Sequence, residues 1–318
     1  MTMMRTFLID DATREQEPCV ATVGFFDGVH RGHQHLIGQV TGRAAAEGRR
    51  SMVVTFDRHP RQVLDPQFCP QLLTTGDEKV AALARTGIDS CGLLQFSPAM
   101  AQLSARDFMR QVLSDQLCVR SLVIGYDNRF GHGRAEGFDD YVRYGREMGI
   151  EVVRATPLVL DEGITVSSSV VRRLLLDGDV DAAARCLGRR YSLEGIVVPG
   201  FQEGRRLGFP TANLQLDETS KLVPLAGVYA VVVQTEDDDR HRPGVMNIGC
   251  RPTFGGDRLT LEVHVIDYHR EIYGQRLKVE MAHRLRSERK FGSAELLARQ
   301  LCEDVKMAND LFVKEILI

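Results

Sequence analysis

From Cys19 to about Ala155, short runs rich in β-branched residues alternate with longer amphipathic stretches, and this alternation restricts the fold more than any other feature of the chain. CVATVGFF, SMVVTF, CGLLQF, SLVIG and IEVVRA predict strands. A segment from His33 and others near Asp77–Arg85, Ser104–Leu117 and Phe138–Met148 predict helices. Repeated β-α-β implies a parallel sheet covered by helices on both faces, with ligand loops at the carboxyl ends of its strands. After Ser167 the pattern is helical through Leu187. From Tyr191 it becomes a succession of strands, YSLEGIVVPG, GVYAVVVQT, RPGVMNIG, LTLEVHVID and RLKVEMAHRL, broken by Gly and Pro. The expected fold class is therefore α/β: a parallel-sheet domain over residues 1–187, then an antiparallel sheet or barrel over 188–318 with a terminal helix. That helix starts at Ser293, and its stripe Leu297, Leu301, Val305, Ala308 and Phe312 is spaced 4, 4, 3 and 4 apart for packing on the barrel.

A chain of 318 residues exceeds what one core usually supports, so two active sites are open to it. The formal net charge of -3 disfavours a protein that wraps nucleic acid, which needs a concentrated basic surface. Seven cysteines without a CxxC pair fit neither a disulfide framework nor a structural zinc site, and imply a reducing compartment. No run approaches the ~20 apolar residues of a membrane span. A cytoplasmic enzyme without membrane or nucleic-acid partners is expected. The acidic run Glu236–Asp239 reads as a hairpin tip.

The first chemical constellation is GFFDGVHRGHQHLI, between the first strand and the first helix. Its glycines let the backbone approach an anion, and the helix beginning near His33 offers unpaired N–H groups and a positive dipole end. His30 and His33, three apart, can point the same way and converge on a nucleotide α-phosphate, where charge develops during in-line displacement. A bare HxxH is more often a pair of histidines satisfied within a turn. A metal reading with His35 is disfavoured because His35 falls on a different helical face from His30 and no cysteine accompanies it.

This string is similar to the GxFDGxHxGH signature of the nucleotidylyltransferase superfamily, and the chain as a whole resembles the prokaryotic bifunctional riboflavin kinase/FMN adenylyltransferases, or FAD synthetases. TFDRHP (Thr55–Pro60), IGYDNRFG (Ile124–Gly131) and VSSSVVR (Val166–Arg172) match that family's TF-x-P-HP, VG-x-DFRFG and ISSTxIR motifs in order and spacing. The resemblance implies a Rossmann-like adenylyltransferase domain followed by a riboflavin kinase barrel. It implies that His30 and His33 stabilise the transferring phosphate, with Gly24, Phe26, Asp27, Gly28 and Asp127 at the nucleotide or flavin phosphate. Ser167, Ser168 and Arg172 would hold the β- and γ-phosphates of ATP. Hydroxyls and N–H groups at a helix start, joined by a fixed guanidinium, suit a polyphosphate. Three positions depart from the family pattern: Asn128 for Phe, Ser169 for Thr and Arg58 for Pro.

EGRRLGFPTANL (Glu203–Leu214) resembles the riboflavin kinase motif GRxLGFPTAN. That likeness makes Thr211 and Asn213 ligands of Mg²⁺ and the ATP phosphates, in keeping with a hard cation's preference for oxygen. Lying two apart in an extended segment, they share a face. Gly204, Arg205, Gly208 and Pro210 would bind ATP. In LTLEVHVID, Leu261, Val263 and Val265 share one face, and Thr260, Glu262 and His264 the other. The resemblance makes Glu262 the general base toward the ribityl 5′-hydroxyl; without it, Glu262 is an exposed strand carboxylate. NIGCRPTF and RLRSERKF match further kinase segments and bring Asn247, Arg251 and Arg286 to flavin or nucleotide. The stretch before Gly204 is less basic than the family's usual version.

The implied reactions are riboflavin + ATP → FMN + ADP and FMN + ATP → FAD + pyrophosphate, both with Mg²⁺. No G-x-x-x-x-G-K-[ST] is present, and Gly131, Gly133 and Gly137 miss the GxGxxG spacing, which disfavours P-loop kinases and nicotinamide dehydrogenases. An RNA-directed protein is the rival of a different class, since HxGH is also similar to the HIGH motif of class I aminoacyl-tRNA synthetases; no KMSKS-like segment follows. The nearer alternative keeps the fold with only one active domain.

Overall fold

The computed structural model describes residues 3–65, 67–126, 128–160, 165–200, 204, 208–253 and 256–316, without the side chains of 239, 250–253, 256–258 and 314–316. Asp127 and Arg205 lie outside the described residues, as does the side chain of Arg251. The chain divides into two compact units, Met1–Ser168 and Ser169–Ile318.

The first unit is a six-stranded sheet of β1 (Arg5–Ile9), β2 (Cys19–Val23), β3 (Arg50–Phe56), β4 (Ser90–Leu94), β5 (Val119–Ile124) and β6 (Glu151–Arg154), in the order β1-β4-β3-β2-β5-β6. Every pairing is parallel. Its helices are α1 (Arg31–Glu47), α2 (Pro60–Leu64), α3 (Gly76–Ala84), α4 (Pro98–Ala101), α5 (Ala105–Phe108, continued by π-helical Met109–Gln116) and α6 (Phe138–Met148). Alternate strand residues serve two cores. Cys19, Ala21, Val23, Met52 and Val54 pack with Phe108, Leu113 and Tyr141, whereas Val20 and Val53 pack with Ile37, Val40 and Leu83 of α1 and α3. Both sheet faces are therefore dry, which is why these strands read as continuous apolar runs. Strand β1 carries no such run: only Ile9 is buried, because β1 pairs β4 alone at the sheet edge. The sequence pattern misses it for that reason. Successive strands run one way from β2 through β3 to β4 and then cross to β5 on the other side of β2. The chain reverses between β2 and β5, and a crevice opens at the carboxyl ends of such a pair.

The second unit opens with α7 (Ser168–Leu176) and α8 (Val180–Leu187), followed by a closed antiparallel barrel in the order β10-β11-β8-β7-β12-β9. Its strands are β7 (Tyr191–Val198), β8 (Ala212–Leu216), β9 (Gly227–Thr235), β10 (Asp238–Thr253), β11 (Gly256–Val265) and β12 (Arg276–Arg286). Strand β7 alternates buried and half-buried residues along its whole length, as a barrel wall should. Strand β9 is instead buried on both faces. Its outer residues Val228 and Ala230 lie beneath the C-terminal helix α9 (Ala294–Ile316), against Val305, Ala308 and Leu311. Of the predicted stripe, Val305 and Ala308 meet this core, while Leu297, Leu301 and Phe312 stay half-buried; the most buried line of the helix is Gln300, Asp304 and Ala308, because Asp304 is drawn inward to pair with Arg286. The turn between β9 and β10 holds the acidic residues Glu236 and Asp237.

The expected border at Gly188 and the border between compact units differ by the length of two helices. α7 and α8 bury their apolar sides within the second unit: Leu225 N–H donates to Leu175 O at 3.0 Å, and Val180, Ala183 and Leu187 are buried. Sequence periodicity ranks these helices with the α/β pattern before them because helix type alone carries no record of packing partner.

Candidate functional site

At the carboxyl end of β2 the backbone enters a strained turn. Phe26 (φ 53), Gly28 (φ 80) and Val29 (φ 39) all have positive φ, a conformation that costs a β-branched residue most. Surrounding bonds over-determine the turn. The buried Asp27 carboxylate accepts from Leu73 N (3.0 Å), Thr74 N (3.0 Å) and Thr74 Oγ1 (3.2 Å), while Gly28 N donates to Thr74 Oγ1 (3.0 Å). Gln34 Nε2 donates to Val29 O (2.9 Å), and Ser168 Oγ to Asp27 O (3.0 Å). Asp27 thus fastens the loop to the segment before α3. A Cβ on Gly32 would crowd Val166 O and the His30 ring, so the loop, the start of α1 and the Val166–Ser168 segment lie close to one another there.

His30 caps α1: its Nδ1 accepts from His33 N at 3.3 Å. An Nδ1 that accepts places the proton of a neutral ring on Nε2, which makes that nitrogen a donor. The His33 ring stacks on His30 at 3.6 Å between centroids and touches Phe26 edge-on at 5.1 Å. Desolvation, with the neighbouring His30 adding to it, holds His33 well below the ordinary imidazole range, and its enclosed Nδ1 has no partner among the described residues. The pair therefore sets imidazole groups at a helix start, with His33 held in its neutral form by burial. Imidazole N–H groups so placed can donate to charge that develops on an anion.

Two features of this region escape sequence reading. Lys79 of α3 is 4% exposed, donates from Nζ to Phe56 O at 2.7 Å and lies 4.6 Å from the Phe25 ring centroid. Burial lowers its pKa. Phe25 in turn meets His59 edge-on at 4.8 Å, so the TFDRHP segment abuts the first loop. Across the β2/β5 crevice, Asn128 Nδ2 donates to Val23 O, which settles where this unusual residue points. Next to it is a cavity of about 350 Å³ lined in part by Tyr126, Arg129, Phe138 and Arg154, with Arg154 stacked over Phe138 at 4.1 Å. Aromatic surface beside two guanidinium groups suits a flat ring bearing an anion. Ser167 and Ser168 are half-buried at the start of α7, and Arg172 is half-buried four residues beyond Ser168.

In the second unit the barrel register assembles the other set. Asn213 of β8 pairs with Glu262 of β11, and Glu262 pairs with Asn247 of β10, so the three stand side by side on the face opposite Ala212, Leu214, Val263, Met246 and Ile248. A Cβ on Gly200 would meet the Asn213 amide, and one on Gly204 would meet Phe209 O and Thr211, so backbone passes close over both oxygen-bearing side chains. Gly208 has φ 88, open to glycine at no steric cost. The His264 ring donates from Nδ1 to Pro210 O at 2.8 Å and meets Phe209 edge-on at 5.5 Å, holding the Pro210–Asn213 stretch against the strand that carries Glu262. Beside Pro210 and Thr211 lies a cavity of about 390 Å³, walled by Val263, Tyr268, Arg270 and Tyr273 among others. No sequence motif had marked the 268–273 turn. Among the described residues no cluster of three or more His, Cys, Asp or Glu could hold a metal, so a cation here would draw on hydroxyl and amide oxygens, phosphate and water. Arg286 is committed elsewhere: Nε and Nη2 pair with the fully buried Asp304 of α9 at 2.8–3.2 Å.

The chain matches two family models, FAD synthetase over residues 12–170 and riboflavin kinase over 187–312. It is 40% identical to a bifunctional riboflavin kinase/FMN adenylyltransferase of Pseudomonas fluorescens, covering 93% of this chain and 94% of the relative. It is 36% identical to that of Escherichia coli strain K12 over 93% and 94%, and 35% identical to that of Bacillus subtilis strain 168 over 92% of each. A solved structure described as a macrolide-efflux protein from Streptococcus pneumoniae superposes with a TM-score of 0.88 at 29% identity, over 96% of this chain and 99% of that one. Among the described residues no helix is long and apolar enough to cross a membrane.

Proposed function

Because the chain belongs to the bifunctional riboflavin kinase/FMN adenylyltransferase family, we propose that its two chemistries are divided between the two constellations described above. The enzyme phosphorylates riboflavin to FMN with ATP, and adenylylates FMN to FAD with a second ATP, releasing pyrophosphate. We assign adenylyl transfer to residues 1–187 and phosphoryl transfer to 188–318. The riboflavin kinase family match, which begins at residue 187, supports that border even though α7 and α8 pack within the second compact unit.

In adenylyl transfer an FMN phosphate oxygen attacks the ATP α-phosphorus as the α–β bridging bond breaks. His30 Nε2–H and His33 donate to the α-phosphate oxygens, and Ser167, Ser168 and Arg172 hold the departing pyrophosphate. Gly24, Phe26 and Gly28 shape the turn by which the backbone approaches the nucleotide, and Asp27 keeps it in place. The Tyr126–Arg129–Phe138–Arg154 cavity, with the neighbouring Asp127, takes FMN. No protein nucleophile is required, so positioning and charge stabilisation carry the rate.

In phosphoryl transfer Glu262 takes the proton of the ribityl 5′-hydroxyl, whose oxygen attacks the ATP γ-phosphorus while ADP leaves. Gly204, Arg205, Gly208 and Pro210 line the nucleotide, with Asn247 and Arg251 flanking the flavin. Thr211 and Asn213 fit Mg²⁺ by donor chemistry, and the ion would neutralise phosphate charge there. The observation that carries this reading is the cross-strand row Asn213–Glu262–Asn247, which sets a carboxylate beside an amide oxygen two residues from the Thr211 hydroxyl. Cysteines without paired spacing support a cytoplasmic setting, and the small-molecule partners are riboflavin, FMN and ATP.

Chromatography of flavins after incubation with riboflavin, ATP and Mg²⁺ tests the reading. FMN followed by FAD is expected. His30→Ala should stop at FMN, whereas Glu262→Gln should make FAD only from added FMN; equal loss of both steps in either variant refutes separate sites.

A further inference from the structure

The carboxylate of Asp304 is fully buried in α9, where a charge is tolerated only with close compensation. Its oxygens receive Arg286 Nε at 3.0 Å and 3.2 Å, Arg286 Nη2 at 2.8 Å and Gln300 Nε2 at 2.9 Å. The remaining guanidinium nitrogen, Nη1, donates to Ser287 O at 3.2 Å, and Arg284 Nη2 donates to Ser287 Oγ at 3.2 Å. The backbone at Ser287 is thus held from two sides. The next side chain, Glu288, crosses to β10: its Oε1 accepts from Asn247 Nδ2 at 3.3 Å, and a Cβ on Gly249 would run into the same carboxylate. Asn247 is the cross-strand partner of Glu262. An unbroken chain of contacts therefore leads from the interior of α9 to the residue beside Glu262.

We propose that Asp304 is a positioning residue for the riboflavin kinase site, holding Arg286 so that Glu288 bears on Asn247 and fixes the amide next to Glu262. The inference rests on the kinase reading above. It reassigns Arg286 from flavin contact to the middle link of this chain, since three of its nitrogens already serve protein acceptors. Glu288 itself is exposed, so its contact with Asn247 owes its geometry to the buried pair behind it. A guanidinium held at both ends of its fork transmits position better than a single flexible contact does.

The test compares full-length wild type, Asp304→Asn, Glu288→Ala and the double variant in riboflavin phosphorylation, with FAD formation from added FMN and the melting temperature followed alongside. Each single change should lower the kinase kcat about tenfold, with a smaller effect on KM for riboflavin. The double variant should be no slower than the slower single, because both changes cut one chain of contacts. FAD formation should be unchanged. Wild-type kinase turnover in Glu288→Ala, a surface change with little risk to folding that removes the acceptor of the Asn247 amide, overturns the proposal even if Asp304→Asn fails to fold; so do multiplying losses in the double variant. A wild-type chain that makes no FMN overturns the kinase reading itself and the coupling with it.

Discussion

His30 and His33 lie face to face, ring centroids 3.6 Å apart and planes 18° from parallel, because the first caps the helix on whose opening turn the second sits. A spacing of three residues allows such contact, but the stacking and the lowered pKa of His33 follow from burial and from the strained turn before them.

His30→Ala removes both the cap and the donor. FAD formation from FMN should fall about 10²–10³-fold, the usual loss for one preorganised transition-state donor. FMN formation from riboflavin should persist at the wild-type rate. Single-turnover assays with each flavin supplied separately would check both statements.

The lowered pKa of His33 also has a consequence for stability. The unfolded chain binds a proton near the ordinary imidazole value of ~6.5 while the folded chain refuses it until lower pH, so acidification through that window favours unfolding. Stability contributed by this group is complete above pH ~6.5 and declines as pH falls below it. Thermal melts between neutral and mildly acid pH should show this decline in wild type and a shallower one in His33→Asn. Parallel curves would remove His33 as the cause.

Asp27 should behave as a structural lock more than as a ligand. Asp27→Ala leaves the buried Leu73 and Thr74 N–H groups without this acceptor, a cost on the order of 3 kcal/mol for the pair. Asp27→Asn keeps one oxygen and should cost less. Calorimetry should find the larger fall in melting temperature for Asp27→Ala, with riboflavin phosphorylation retained below the transition.

Gly200→Ala drives a methyl group into the Asn213 amide. Kinase kcat/KM should drop about tenfold or more, equivalent to about 1.4 kcal/mol of lost transition-state stabilisation. FAD formation from FMN should be untouched. A variant with wild-type Mg²⁺ dependence and turnover would show that Asn213 has no part in holding the ion.

Local periodicity and motif order, both short-range properties, are where the sequence is most legible. Alternation of strand and helix in the first half, the period-2 pattern of the barrel walls and the Val305–Ala308 stripe of α9 are written in spacings of two to four residues, because each reflects one face of one element meeting a core. Edge strand β1 escapes that code, having one pairing partner and a single buried residue.

Contacts between distant residues have no such signature. The anchoring of Asp27 by Leu73 and Thr74, the turn of Asn128 toward Val23, the buried Lys79 beneath Phe25, the capture of Arg286 by Asp304 and the alignment of Asn213, Glu262 and Asn247 join positions far apart along the chain. The amino-acid order by itself determined which chemical groups this protein owns and which elements carry them. Tertiary structure alone decided which of those groups meet, since strand register and helix docking are fixed only when both cores close and every buried polar group must find its partner at once.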